Sequence, residues 1–315
     1  MRLNLSDKTK ATLKSVISFA NIKHFLARAV LYIMLIGLAF VFLQPFIHML
    51  VNAFKTYTDV MNISIKWIPK EGTLENWKLA ADALSLKTSV LNSVLVTSLA
   101  TLGHLFSCSF VAYGFTRFKF KGRNLLFGIV VFSIIVPVQT ISVPLYMLYS
   151  NLDWIGSYLP LIVPTFLGMG LNGGLFIFLF RQYYLRLPSS LEEAASIDGC
   201  NEYGTFFRII LPSTGSTMIV CFILSFVWHW NDFFEPGLYI NSTKKYLLPQ
   251  MLPAMYDFFE KMDVNTTQES LEMALKYHTG VIMAGTLICV IPLLVLFLFF
   301  QNKFMQGIER TGLVE

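Results

Sequence analysis

Six stretches of this chain carry no Asp, Glu, Lys or Arg over 23 residues or more: Ala29–Phe54, Thr88–Thr116, Asn124–Leu152, Trp154–Phe180, Ile209–Asn231 and Tyr277–Asn302. A bilayer's hydrocarbon core is about 30 Å thick, and roughly 20 mainly apolar residues cross it once as a helix. Each run is long enough for one crossing and too short for two. In lipid the backbone must satisfy its own hydrogen bonds, so the runs are predicted to be helices. A membrane barrel would show short segments of alternating polarity, and the chain has none. The expected fold class is an all-α integral membrane protein with six transmembrane helices.

Composition agrees: of 315 residues 55% are hydrophobic and only 14% are charged, with mean hydropathy +0.60. Soluble domains carry about 25% charged residues. The charges that remain fall between the runs and set an orientation. With both termini cytoplasmic, the inside segments 1–28, 117–123, 181–208 and 303–315 hold 15 Lys and Arg against 7 acids, and the outside segments hold 9 against 12. Positive charge stays inside. Arg117, Lys119, Lys121 and Arg123 form the sharpest basic cluster, between the second and third runs. The net charge of +5 thus reads as topology and calls for no nucleic-acid partner.

Three regions follow: a basic N-terminal segment 1–28, a membrane domain 29–305, and a tail 306–315. The N-terminal apolar run is too long for a cleaved signal peptide, and no small-residue cleavage pattern follows it. Residues 10–28 mix Lys10, Lys14, Lys23 and Arg28 with Val16, Ile17, Phe19, Phe25 and Leu26. They suit either an amphipathic surface helix or a purely topogenic tail. Two long segments, 55–87 and 232–276, lie outside; Ala254–Lys276 is predicted to hold a short helix. Pro45, Pro137, Pro144, Pro160, Pro164 and Pro292 interrupt the apolar runs and are expected to kink them. Cys108, Cys200, Cys221 and Cys289 show neither disulfide nor metal-ligand spacing.

The segment 188–212, between the fourth and fifth runs, is different in kind. Ser190 with Glu193 three residues on is a capping-box pattern after Pro188. Gly199 stands where a helix-ending glycine would, Asn201 can cap a second helix, and Pro212 is expected to close it. Leu191, Ala194 and Ala195 share one face of the first helix, and the two alanines make that face small. Such a helix pair either packs under its own bundle or seats in another protein's cleft.

The residues Glu193-Ala194-Ala195, then Gly199, then Ile209-x-Leu211-Pro212 match at every fixed position the spacing E-A-A-x3-G-x9-I-x-L-P. This resembles the EAA signature of the permease subunits of binding-protein-dependent ABC importers. Ala112 to Phe120 with Gly122-Arg123, Pro144-Leu145-Tyr146, and Trp230-Asn231-Asp232-Phe233 resemble the carbohydrate branch of that family, the group containing the maltose permeases. The resemblance covers about residues 30–310. It implies the type I importer permease fold, in a bacterial cytoplasmic membrane. The implied partners are an extracytoplasmic solute-binding protein, a second permease (a heterodimer), membrane lipid and ABC ATPase subunits. ATP and Mg would belong to those ATPases, leaving this chain without a cofactor and without catalysis. Glu193, Ala194, Ala195, Gly199, Ile209, Leu211 and Pro212 would couple to the ATPase.

Candidates for the solute path are polar or aromatic residues within runs, where polar groups usually face the bundle interior. They are Asn92, Tyr113, Gln139, Tyr146, Asn172, Trp228 and Asn231, with Thr140 and Trp230 beside them; interhelical bonding and interfacial belts are the favoured account of each residue taken singly. His48 and His229 are read as structural. The rival class is a self-sufficient secondary transporter. It predicts inverted repeats and charged midplane sites; no run has a central charge, and no P-loop pattern occurs in the chain.

Overall fold

The computed structural model describes residues 19–262 and 278–312. Among these the secondary structure is helical, and the one β contact is an isolated bridge between Lys55 and Gly72. In chain order the helices are α1 (Phe19–Ala53), α2 (Tyr57–Met61), α3 (Glu75–Ala83), α4 (Leu86–Arg117), α5 (Arg123–Ile135), α6 (Val138–Asn151), α7 (Leu159–Phe166), α8 (Gly173–Tyr184), α9 (Ser190–Ile197), α10 (Glu202–Ser213), α11 (Gly215–Asn231), α12 (Phe234–Tyr239), α13 (Leu248–Met262) and α14 (Thr279–Gly312).

Three of these are apolar and long enough to cross a membrane unbroken: His24–Ala53 within α1, Leu86–Arg117, and Thr279–Met305 within α14. Counting each sharply bent pair as one span raises the number to five. The first, second and sixth apolar runs are therefore continuous helices, and Pro45 and Pro292 do not interrupt theirs.

The third, fourth and fifth runs depart from the expectation of one helix each, the fifth by the bend between α10 and α11. The third breaks into α5 and α6 with a 105° bend. Val136, at φ −72°, ψ 117°, has left the helical region, as the residue before a proline tends to. The fourth breaks into α7 and α8, and glycines carry the break. Gly168 and Gly170 take φ +73° and +86°, and Asn172 takes φ +60°. Glycine enters that left-handed region at no steric cost. Gly173 is also pressed close: a Cβ there would stand 2.7 Å from the Gly168 carbonyl oxygen.

Helix α4 repairs the break. It is the centre of the bundle, packing against α7, α8 and α11, and its buried positions are mostly small: Ser93, Thr97, Ala100, Gly103, Ser107, Cys108 and Ala112. Small residues let helices approach closely where lipid offers no hydrophobic drive. His104 Nε2 lies 2.9 Å from the Met169 carbonyl oxygen, and Ser107 Oγ donates to the Thr165 carbonyl. Backbone groups freed inside a membrane must find such partners. His104 also meets α11, with Nδ1 3.2 Å from Ser225 Oγ and 3.3 Å from His229 Nε2.

Helix α1 stands apart. Its membrane-length window buries none of its residues within the chain, and its main neighbour is α14. Between α1 and α4 the connecting segment is tightly built. Lys55, 4% exposed, donates through Nζ to the Ile65 and Lys66 carbonyls. The Asp59 carboxylate accepts from the Lys70 and Glu71 amides. The predicted outer helix begins at Leu248, six residues before the expected Ala254, and is described to Met262. The rest of that expectation, 263–276, lies outside the described residues, as do residues 10–18 of the N-terminal segment.

Candidate coupling loop and solute path

The loop after α8 folds as two capped helices. The first, α9, starts one residue earlier than the capping-box pattern suggests. Ser189 is its N-cap, in helical conformation and without a side-chain cap bond. Its C-terminus is a full Schellman motif, with Cys200 N–H bonded to the Ala195 carbonyl, Gly199 N–H to the Ser196 carbonyl, and Gly199 at φ +81°. Only glycine takes that backbone cheaply. Asn201 then caps α10 by accepting from Gly204 N–H at 2.8 Å.

Helix α10 contains a widened turn, Phe206–Ile210, in which Leu211 N–H reaches back to the Phe206 carbonyl. Pro212 has no N–H to give, and its ring would crowd the preceding turn. A wide turn just before it relieves both problems. The helix runs one residue past Pro212 to Ser213, then turns 78° into α11. Phe206 and Ile210 are buried and anchor α10 in a cluster with Tyr113, Phe180 and Tyr184. Ile209 and Leu211 are half-buried, and Pro212 is exposed.

The predicted small face of α9 divides. Ala195 is 1% exposed and packs under its own chain. Leu191 and Ala194 point outward, together with Ile197, which is 87% exposed. The outward apolar stripe is thus Leu191, Ala194 and Ile197, at the i, i+3, i+6 positions of one helix side. Its spacing is visible in the sequence, but the alanine pair draws the eye away from Ile197.

Arg117, which the sequence shows as part of the basic cluster and of the Ala112–Phe120 stretch, holds this loop. Its Nε lies 2.6 Å from Glu192 Oε1, and its Nη2 donates to the Leu187 carbonyl at 3.0 Å. Burial pushes the Glu192 carboxyl above its ordinary range, Arg117 pulls it back down, and Glu202 and Glu193 add to the upward push. Beside this ion pair a cavity of about 280 Å³ is lined by Tyr113, Arg117, Glu192, Glu193, Cys200 and Glu202. Glu193 is exposed. Its carboxylate and those of its neighbours outnumber the one guanidinium, so the cavity wall is acidic.

The solute-path candidates do not gather in one place. Tyr113 is 3% exposed and sits edge-on to Tyr184 at the loop end of α4. Trp228 is half-buried against Phe176. Asn92 spends its amide on the Lys244 and Tyr246 carbonyls, tying α4 to the segment between α12 and α13. Asn172 is a left-handed N-cap at the break in the fourth run, and Gln139 lies exposed in the first turn of α6. Tyr146 is exposed and stacks on Tyr239 at 6.5 Å. Asn231 alone of the seven lines a second cavity of about 280 Å³, with Trp230, Phe233, Leu252, Thr286 and Val290. Trp230 itself is held by a bond from Nε1 to the Cys289 carbonyl. His229 is buried and stacks on His104, the residue that sequence inspection misses. No group of three His, Cys, Asp or Glu able to hold a metal occurs among the described residues.

Residues 106–310 match the family model described as "Binding-protein-dependent transport system inner membrane component". The chain is 29% identical to the arabinooligosaccharides transport system permease protein AraQ of Halalkalibacterium halodurans, over 87% of this chain and 92% of that one. It is 29% identical to the probable starch degradation products transport system permease protein AmyC of Thermoanaerobacterium thermosulfurigenes, over 87% and 92%. It is 30% identical to the probable ABC transporter permease protein YurM of Bacillus subtilis, over 88% and 84%. Among solved structures it resembles a chain from the crystal structure of a bacterial ABC transporter involved in the import of the acidic polysaccharide alginate. There the TM-score is 0.73 at 20% identity, with 91% of this chain and 98% of the other covered.

Proposed function

Since this chain belongs to the family of binding-protein-dependent transport system inner membrane components, we propose that it forms half of the pathway by which a bacterial importer brings in a sugar or oligosaccharide. Membership makes it a multi-pass transport component of an ATP-driven importer and sets aside the self-sufficient secondary transporter. A carbohydrate cargo is supported by the relatives named for arabinooligosaccharides and starch degradation products. The remaining parts of the reading are six crossings with both ends cytoplasmic, a second permease as partner in the bacterial cytoplasmic membrane, and a soluble receptor outside. Catalysis lies in separate ATPase subunits that hold ATP and Mg. Treating the bent third and fifth runs as single spans, and the broken fourth as the last crossing, supports the six.

The observation that carries the mechanism is the geometry of α9. It is a short helix, locked at its end by the Gly199 motif and anchored on one side by Ala195 and α10. Its outward stripe of Leu191, Ala194 and Ile197 is free. A rigid helix below the membrane with a free apolar stripe fits a cleft on an ATPase, with Glu193 at its edge. ATP favours the arrangement of ATPases that binds it better, and closure moves the seated α9. Because α9 is continuous with α10 and the bend into α11, that motion passes to the spans as a rigid-body change.

The test is a gentle detergent purification of the tagged chain. The wild type should bring down a P-loop ATPase and a second permease. Ala194→Asp, which puts a charge in the outward stripe without touching the core, should lose the ATPase and keep the sister permease. Retention of the ATPase by that variant would reject the docking face. A chain that elutes alone, and moves solute in liposomes without ATP, would reject the importer reading.

A further inference from the structure

We propose that Arg117 is the positioning residue that joins the coupling loop to the central helix, so that a displacement of α9 is delivered directly to α4. The inference rests on the reading of α9 as the ATPase contact and adds to it a second route of transmission. The route through α10 and α11 is covalent. The route through Arg117 is a non-covalent link between segments 70 residues apart in sequence.

The guanidinium grips the loop on both sides of Pro188. Its Nη2 donates to the Leu187 carbonyl, at the exit from α8, and its Nε stands in ion-pair contact with Glu192, in the first turn of α9, without hydrogen-bond alignment. The two contacts straddle the turn that orients α9, so α9 cannot tilt about Pro188 without moving or breaking one of them. Arg and Glu side chains here are only 18% and 21% exposed, which separates this pair from surface ion pairs worth little. A planar guanidinium presents several donors in a fixed fork; a lysine ammonium in its place is a single point and cannot hold both acceptors in the same geometry.

What lies behind Arg117 gives the link its consequence. It is in the last turn of the 32-residue α4. That helix packs on α7, α8 and α11, and through His104 and Ser107 it closes the break of the fourth run. A pull on Arg117 therefore acts on the helix that holds the interrupted span together. Neighbouring Lys119, Lys121 and Arg123 share its charge, but Arg123 Nη1 turns to the Phe118 carbonyl beside it, over a long 3.4 Å.

The experiment uses the whole importer, with both permeases, the ATPases and the receptor, in proteoliposomes. Three quantities are read together: ATPase retained per permease, receptor-stimulated ATP hydrolysis, and solute moved per ATP. Arg117→Gln should keep the ATPase and continued hydrolysis, and solute moved per ATP should fall by about tenfold, the size expected for loss of a charge-assisted pair. Glu192→Gln, which leaves the Leu187 bond in place, should give a smaller loss in the same quantity. Arg117→Lys should fall between the wild type and Arg117→Gln. Unchanged solute per ATP in Arg117→Gln overturns the proposal. So does a parallel fall of hydrolysis and transport in both Arg117→Gln and Glu192→Gln, which would mean a structural role only. If Ala194→Asp keeps its ATPase, the docking reading itself fails, and that result is separate from either outcome at Arg117.

Discussion

Replacing His104 by alanine should unsettle the fourth apolar run. The ring is fully buried and makes three polar approaches, to the Met169 carbonyl, Ser225 Oγ and His229. It also lies 5.0 Å from the Phe176 ring. A carbonyl has no hydrogen to give, so Nε2 is the donor to Met169, and Nδ1 is left to accept from Ser225 or His229. His104→Ala leaves the Met169 carbonyl without that donor, at a cost of about 1–3 kcal/mol. The emptied ring volume adds a cavity cost of about 1–3 kcal/mol. A total near 3 kcal/mol corresponds to a fall in Tm of roughly 6–12 °C at about 2–4 °C per kcal/mol. The assay is thermal denaturation of the detergent-purified chain, read as loss of the monodisperse peak on size exclusion. His104→Gln, which can still donate to Met169, should recover part of the loss. The reasoning is refuted if alanine melts with the wild type, or if glutamine is no better than alanine.

Three further outcomes are expected. Gly173→Ala pushes a methyl to 2.7 Å from the Gly168 carbonyl oxygen; neither partner is a flexible side chain, so overpacking should cost about 1–3 kcal/mol, measured in the same melting assay. Asp59→Asn weakens the two charge-assisted amide bonds from Lys70 and Glu71, 2.7 and 3.1 Å long; limited proteolysis should then cut between residues 60 and 72 at least several-fold faster, while α4 stays intact. Burial, helped by Asp232, raises the Glu235 carboxyl from 4.5 to about 8; the folded state therefore holds a proton that the unfolded chain has lost, and stability should fall as pH rises from about 4.5 towards 8. Glu235→Gln should flatten that slope, measured as Tm against pH.

The apolar runs were legible because a charge-free stretch of more than 20 residues is the length that a bilayer demands of a crossing helix, and the first, second and sixth became continuous helices. What composition could not convey was where a run would break. Pro137 signalled the third break, yet Pro45 and Pro292 sit in unbroken helices, so proline alone does not decide. The fourth break is made by Gly168, Gly170 and Asn172, and it is tolerable only because His104 and Ser107, some 60 residues away, supply donors. That is a tertiary fact, outside the reach of local pattern. In the loop, the role of Gly199 as a helix terminator was local chemistry and held. The start of α9 was one residue off because Ser189 and Ser190 are equivalent caps by composition. The inward turn of Ala195 and the grip of Arg117 depended on how the loop lies against α4. The solute candidates fared differently because an amide or an aromatic ring in a run serves packing as readily as transport. Asn92 and Tyr113 are engaged in holding helices together, while Asn231 lines a cavity.

The isolation of α1 bears on how the protein is made. Its principal companion within the chain is α14, and the two are separated by more than 200 residues of sequence. At synthesis rates of about 5–20 residues per second, the first helix emerges some ten to fifty seconds before the last exists. Through that interval it must persist as a lone lipid-solvated rod, which its charge-free 26-residue stretch from Ala29 to Phe54 equips it to do. A nascent chain halted anywhere before α14 would leave that rod without its principal companion in the chain.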